Sequence, residues 1–317
     1  MTSRAFLGIS HSPLMGLNDI PDHVERDLQA AISAARQQVL PFDPELIVLV
    51  APDHYNGFFN ELMPPFCIGT AAHAVGDYLS PKGDLNVAAD EAVSLATRLM
   101  DSDFDCAISR RMLVDHGFSQ TLQLMWGGLD TPPVIPVFVN AVAQPGIPRM
   151  RRCAQLGRAI GSFLDSVPKR VLLIGSGGLS HEPPVPTLSH PDPAVRERIT
   201  VKATPSEADK AAKTQRVMAA GRALADGTGT IKAINSEWDK RWMAGISGTT
   251  QDVDALCTLS EESIEREAGL SAHESKSWLV ARSALSGDAK PVSTLSYYRS
   301  IPEYIAGFGI LVLNQPH

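Results

Sequence analysis

The sequence predicts an α/β protein with a central sheet, mostly parallel or mixed, flanked by helices. Three observations lead there. Short apolar runs alternate along the chain with segments of helical periodicity. One run, Leu46 to Val50, is apolar at every position, as a strand covered on both faces would be. The loops that follow the runs are rich in polar groups.

Taken in order, Ala5 to Ile9 reads as a short buried strand ending in Ser10-His11-Ser12-Pro13. Pro21 opens a helix in which Val24, Leu28, Ala31, Ala35 and Val39 recur at helical spacing, and Pro41 is expected to stop it. The strand at Leu46 to Val50 runs into Ala51-Pro52-Asp53-His54. Residues 56–76, rich in aromatic, proline and glycine residues, suit a long loop with a short irregular strand. Ala88, Ala92, Leu95 and Leu99 mark a helix, and Ala107 to Ser109 a short strand before Val114-Asp115-His116-Gly117. Thr121 to Trp126 reads as helix. Val134 to Val139 reads as a strand whose ladder Pro136 qualifies. A helix over Met150 to Leu164 and a strand over Val171 to Ile174 lead to Gly175-Ser176-Gly177-Gly178-Leu179-Ser180-His181. The stretch 190–213 is polar, the chain is then mostly helical to about Ser286, and Tyr297 to Leu313 returns to an extended, glycine-broken pattern. The 317 residues are read as a single catalytic domain, 1–317; a subdivision near 185 has no clear linker to support it.

Composition bounds the function. A formal net charge of −7 and the lack of a Lys/Arg block argue against nucleic acid as a partner. Cys67, Cys106, Cys153 and Cys257 form no CxxC pair, so neither zinc-finger ligation nor a disulfide framework is expected. The N-terminal apolar run is too short for a signal peptide and no stretch approaches a membrane span, so a cytoplasmic protein without a membrane partner is expected.

The informative pattern is where the nine histidines fall. His11, His54 and His181 each follow an expected strand, and His116 sits at a comparable junction. In α/β sheets the carboxyl ends of strands face the ligand crevice. Histidine supplies both neutral metal ligands and proton-transfer groups near neutral pH. Convergence at a site and four locally bonded loop histidines fit the spacing about equally. Gly175 to Gly178 lacks the spacing of a phosphate cradle and is read as a tight turn before His181. Ser176 or Ser180 beside His181 leaves a serine hydrolase as a weak alternative.

Several longer stretches carry a resemblance: SHSPLMG around His11, APDHYNGFF around His54, MPPFCIG, VDHGF around His116, GSGGLSHEPPVP around His181 and IPEYIAGFG near the C-terminus. The chain resembles the type III (LigB-like) extradiol dioxygenase family nearly end to end. The resemblance implies a three-layer fold and Fe(II)-dependent extradiol cleavage of a catechol with a carboxylated side chain, 2,3-dihydroxyphenylpropionate or its cinnamate analogue, by O2. It implies iron ligation by His11, His54 and a glutamate in a late HExxxW segment, here Glu274. The bare sequence offers Glu274 only as a surface carboxylate of a helix. The resemblance also places the acid–base pair at His116 and His181, with His181 preferred as base, His116 as acid, and the reverse left open. It implies a homo-oligomer, with four subunits the guess.

Around these residues two readings stand at each position. Asp53 and Asp115 either orient imidazoles or cap turns and helices. His273 is either a partner of the ligand shell or exposed. Phe58, Phe59, Met63 and Phe66 either line an aromatic substrate pocket or pack the core. Iron follows from the reaction: singlet catechol and triplet dioxygen do not combine in one concerted step, and two histidines with one carboxylate leave open positions on a redox-active ion. A zinc-dependent hydrolase on the same ligands, or a non-catalytic binding protein of the same fold, are the alternatives.

Overall fold

A computed structural model describes residues 3–202, 206–285 and 290–315. The strands in chain order are β1 (Arg4–Ile9), β2 (Leu46–Ala51), β3 (Phe66–Gly69), β4 (Ala72–Val75), β5 (Lys82–Asp84), β6 (Ala107–Ser109), β7 (Met112–Val114), β8 (Val134–Val139), β9 (Val171–Ser176), β10 (Val292–Ile301) and β11 (Ala306–Asn314). The helices are α1 (Asp22–Phe42), α2 (Ala89–Asp101), α3 (His116–Trp126), α4 (Met150–Leu164), α5 (Pro193–Thr200), α6 (Glu207–Ala225), α7 (Ser236–Ile246), α8 (Thr250–Leu256), α9 (Glu261–Ala268) and α10 (Lys276–Ser283). A 3-10 turn, Leu270–Ser275, leads directly into α10.

Eight strands form one mixed sheet in the order β10-β11-β1-β9-β2-β8-β3-β6. Its centre, β1, β9, β2 and β8, is parallel. The hairpin β10–β11 joins one side antiparallel through β11 on β1, and β3 joins the other antiparallel to β8. The β3 ladder reaches β8 only as far as Val137. It stops beside Pro136, which has no N–H to contribute. A second, three-stranded sheet runs β5-β4-β7.

All six residues of β2 are buried. Leu46, Val48 and Val50 face one apolar cluster with α2, α4 and α10, whereas Ile47, Leu49 and Ala51 face another with α1 and α3. The period-two alternation therefore builds a core on each face, giving helix, sheet and helix layers. At ~25 cal/mol per Å² of apolar area removed from water, both cores contribute to stability and hold the central strands in register.

Two expectations are corrected by the backbone. Pro41 does not stop α1 but lies inside its last turn, and the helix ends at Asp43 in the left-handed region (φ 49°). Near a C-terminus the lost N–H bond and ring clash disturb little further helix. Gly177 and Gly178 are not there for a left-handed turn; neither adopts positive φ. A Cβ on Gly177 would come 2.5 Å from the Glu274 carbonyl oxygen, and one on Gly178 would come 2.6 Å from the His181 ring. Glycine is needed because the 3-10 turn and the histidine press against the backbone there.

Candidate metal centre

The parallel register sets Ile9 beside Ser176 and Val50 beside Gly175, so β1, β2 and β9 end at one level. Their outgoing loops carry His11, His54 and His181. β7 delivers Asp115 as the N-cap of α3, with its side chain accepting from Gly117 N–H, and His116 as the first helical residue. The 3-10 turn supplies Glu274, which is buried with 2% of its surface exposed, not at the surface as its helical setting in the sequence suggested.

The four imidazoles come together. The rings of His54 and His116 stack with centroids 4.5 Å apart, and His11 stands edge-on to both at 5.5 and 5.4 Å. Ligand nitrogens of His11, His54 and His116 lie within 4.8 Å of one another.

Each ring is held from outside through Nδ1. His54 Nδ1 donates to Asp115 Oδ2 at 3.0 Å, and Asp115 also accepts the His54 backbone N–H. His116 Nδ1 faces Asp77 Oδ2 at 2.6 Å, with its backbone N–H on Asp77 Oδ1. His181 Nδ1 donates to the Leu179 carbonyl at 2.8 Å, which can only accept. His11 Nδ1 lies 2.9 Å from Ser176 Oγ. Ser176 must spend its one hydroxyl hydrogen on the Gly117 carbonyl at 2.6 Å. Its oxygen therefore accepts from His11 Nδ1–H, leaving the His11 Nε2 lone pair free. All four Nε2 atoms turn inward.

Glu274 stands at the focus. Its Oε2 accepts from Gly178 N–H at 2.9 Å. Its Oε1 lies 3.0 Å from His54 Nε2 and 3.0 Å from His181 Nε2, and Oε2 lies 3.3 Å from His11 Nε2. Among the described residues, buried His11 Nε2 and His116 Nε2 have no hydrogen-bond partner. Metal–ligand bonds of ~2.1 Å at right angles separate neighbouring ligand atoms by ~3 Å. The spacing of His11, His54 and Glu274, with unpartnered inward lone pairs, fits an ion of that kind, and the donor set is that of non-haem iron(II).

Electrostatics agree with the geometry. Burial drives the His11 imidazole down to about 3, against the pull of Glu274, so it is neutral and ligand-ready. Burial also opposes a charge on His54, but Asp115 and Glu274 outweigh it and raise that ring well above its ordinary value. His181 is raised in the same way by Glu274 against burial. Glu274, despite burial, is held well below the usual carboxylate range by His181 and His54.

Several expected residues have other work. Asp53, wholly buried, accepts the backbone N–H groups of Asn56, Gly57 and Phe58 and touches no imidazole. It caps the turn after His54, and burial with Asp115 nearby pushes its carboxyl up to about 7. Asp115 orients His54 across the cleft, not its neighbour His116. His273 is fully buried and bonds Glu265 Oε1 at 3.0 Å, away from the Glu274 carboxylate. Phe66 lies in the core against Phe104, because β3 points it into the helix layer with α2 and α4. Phe59 is buried, while Phe58, half-buried, stacks on Phe138 at 3.9 Å, and Met63 is half-buried beside them. Neither Ser176 nor Ser180 bonds His181; Ser180 is engaged by Asp239. The Ser–His pair a serine hydrolase needs is therefore not formed.

Two site residues were missed from the sequence. Asp77 and Tyr78 sit in a turn where Tyr78 and Leu79 take left-handed φ of 45° and 62°. Such φ values are strained for these side chains and are maintained by the surroundings. The turn puts Asp77 on His116 and the Tyr78 ring edge-on to it at 5.3 Å. A Gly-Asp-Tyr turn carries no signal of this in sequence.

A parallel-sheet crest bearing inward-turned histidines around one buried carboxylate is the donor set of a non-haem iron enzyme. The chain belongs to the family described as the catalytic LigB subunit of aromatic ring-opening dioxygenase, whose model matches residues 5–309. It is 62% identical over 312 residues to a 2,3-dihydroxyphenylpropionate/2,3-dihydroxicinnamic acid 1,2-dioxygenase of Comamonas testosteroni, covering 98% of this chain and 97% of that one. A protein of the same description from Rhodococcus jostii (strain RHA1) is 45% identical over 306 residues, covering 96% of each. In fold, the chain is similar to the crystal structure of an uncharacterized protein from Escherichia coli K12, with a TM-score of 0.53 at 12% identity over 98% of this chain and 99% of that one. Among the described residues no helix is long and apolar enough to cross a membrane.

Proposed function

We propose that this protein is an iron(II)-dependent extradiol dioxygenase that opens 2,3-dihydroxyphenylpropionate or its cinnamate analogue beside the diol. The observation that carries this is the common orientation of four imidazoles, Nε2 inward, around Glu274. His11, His54 and Glu274 hold the ion. Bound iron(II) supplies the redox route by which dioxygen and catecholate react. Residues from position 11 to position 274 contribute, which favours one catalytic unit over the whole chain.

His181 is the base. Its Nδ1–H is committed to Leu179 O, so Nε2, which faces the centre, is the atom that would take a catechol proton. His116 is the acid. Asp77 holds its Nδ1 at 2.6 Å, and its buried Nε2, without a hydrogen-bond partner among the described residues, is the atom placed to hand a proton to substrate. Phe58 and Met63, in the loop after His54, are the remaining candidates for pocket wall. His54, the most open of the five, with 13% of its side chain exposed, marks the mouth. A cytoplasmic location rests on the short N-terminal apolar run, a homotetramer rests on the sequence resemblance, and light scattering of the purified protein reads its subunit number.

The test is oxygen uptake with product absorbance. Protein loaded anaerobically with Fe(II) should consume one dioxygen per 2,3-dihydroxyphenylpropionate and give a yellow ring-opened product, and Zn(II)-loaded protein should do neither. Turnover with zinc and no dioxygen would favour the hydrolase alternative instead.

A further inference from the structure

α5 and α6 each contact a loop that carries a ligand. Asn60 donates its backbone N–H and its side-chain Nδ2 to the Ile199 carbonyl, both at 2.9 Å, and Glu61 N–H bonds Thr200 O at 2.8 Å. That pins α5 to the loop after His54. Buried Asn18, in the loop after His11, donates Nδ2 to Met218 O at 3.1 Å and to Glu303 O at 2.8 Å. A Cβ on Gly221 would come 2.4 Å from Glu303 O, so α6 is seated tightly. Lys213, half-buried on α6, holds its Nζ 5.9 Å from the Tyr78 ring centroid, and Tyr78 stands 5.3 Å from His116. Lys210 pairs with Glu207 on the same helix, but among the described residues Lys213 has no carboxylate partner. A half-buried ammonium without a counter-ion, one aromatic ring beyond an inward-facing histidine, is the complement of an anion on a short arm.

We propose that Lys213 is the residue that anchors the side-chain carboxylate of the substrate, and so sets the preference for carboxylated catechols. This rests on the ring-cleavage reading above. A catechol with its hydroxyls toward His11 and His54 carries its three-carbon arm outward by about the span of one more ring, which is where Tyr78 leads to Lys213. The Tyr78 face holds the ammonium in place without neutralising it. Arg216, exposed and three residues on along α6, is the neighbouring cation that serves as the control.

The experiment compares the parent enzyme, Lys213→Met, Lys213→Arg and Arg216→Met. It reads kcat/KM for 2,3-dihydroxyphenylpropionate divided by that for 3-propylcatechol, which keeps the ring and arm but lacks the charge. Lys213→Met should lower that ratio ~10- to 100-fold, mostly through KM, and Lys213→Arg should recover most of it. An unchanged ratio in Lys213→Met, even with both values reduced together, overturns the anchor, and so does a fall confined to Arg216→Met. A parent enzyme that cleaves neither catechol would instead overturn the ring-cleavage reading. In that case calorimetric titration with 3-phenylpropionate, which bears the carboxylate but no hydroxyls, still decides the anchor: affinity at least ~10-fold weaker in Lys213→Met supports it, and equal affinity overturns it.

Discussion

Two buried polar clusters share the 3-10 turn Leu270–Ser275 and the start of α10, and they satisfy their charges in different ways. In one, Lys276 is fully buried with its Nζ on the Pro148 carbonyl at 2.8 Å and on Glu261 at 3.4 Å, and Arg149 closes on the same glutamate. His273 beside it bonds Glu265. Charges there pair off within the cluster, and among the described residues the buried His273 Nδ1 has no hydrogen-bond partner. In the other, around Glu274, every imidazole is satisfied on its outer nitrogen by a group that faces away from the centre. The inner nitrogens are left to converge. The first arrangement builds structure, whereas the second aims its inner ring nitrogens at one carboxylate, as a metal site requires.

The contrast breaks most sharply by deletion. Glu274→Ala or His11→Ala should abolish retention of iron through gel filtration, and turnover with it, a larger loss than the ~10- to 100-fold expected for outer partners. Lys276→Met should instead destabilise the fold by ~1–3 kcal/mol in denaturant titration, leaving the Pro148 carbonyl without its donor, while one iron per chain is kept. The reverse pattern in either variant would end the distinction between the clusters. Next in size, His116→Gln and His181→Gln should each lower kcat ~100-fold or more with iron content preserved, since both are assigned to proton transfer and not to ligation. Loss of metal in the His116 variant would move that residue into the ligand set.

A sharper version uses the outer partners. Ser176→Ala removes the oxygen that accepts from His11 Nδ1–H, and Asp77→Asn replaces the anion facing His116. Ser176→Ala should weaken iron affinity ~10- to 100-fold in a competition titration and leave the pH profile of kcat in place. Asp77→Asn should do the opposite, lowering kcat at near-native affinity by loosening the His116 ring.

How much of this was legible in the sequence follows the range of the interactions. The central sheet and its helices could be read because apolar periodicity is local: β2 is apolar at every position and is covered on both faces. The four histidines could be marked as candidates because each follows a strand or its junction, and parallel strands bring such ends together. Glu274 was placed only through the family resemblance, since nothing local distinguishes it from an exposed helical carboxylate. Asp77 reaches His116 across 39 residues, and Ser176 reaches His11 across 165. No periodicity encodes either contact. Asp53 and Phe66 show the converse error, where proximity to a site in sequence suggested a role that the local turn and the strand's facing direction give to capping and core packing.

The smallest expected effect concerns acidity, and it separates the clusters without touching the ligands. Burial, with Lys276 adding, lowers His273 to about 4, and burial lowers His11 to about 3. In the unfolded chain both titrate near ~6.5. Between that value and about 4 the unfolded state binds more protons than the folded one, so stability falls as pH drops through this window. His54 and His181 are raised instead, so what they contribute is present below ~6.5 and is lost as pH climbs through their folded values. Chelator-treated protein should therefore be most heat-stable near pH 6.5 and decline on both sides. His273→Gln should flatten the acid limb by a melting-temperature change on the order of 5 °C and leave the alkaline limb as it was. Saturating Fe(II) under anaerobic conditions should remove the alkaline limb, because the ion takes the place of the protons that His54 and His181 release. If His273→Gln flattened the alkaline limb instead, the two clusters would be one coupled network, and their separation would have to be abandoned.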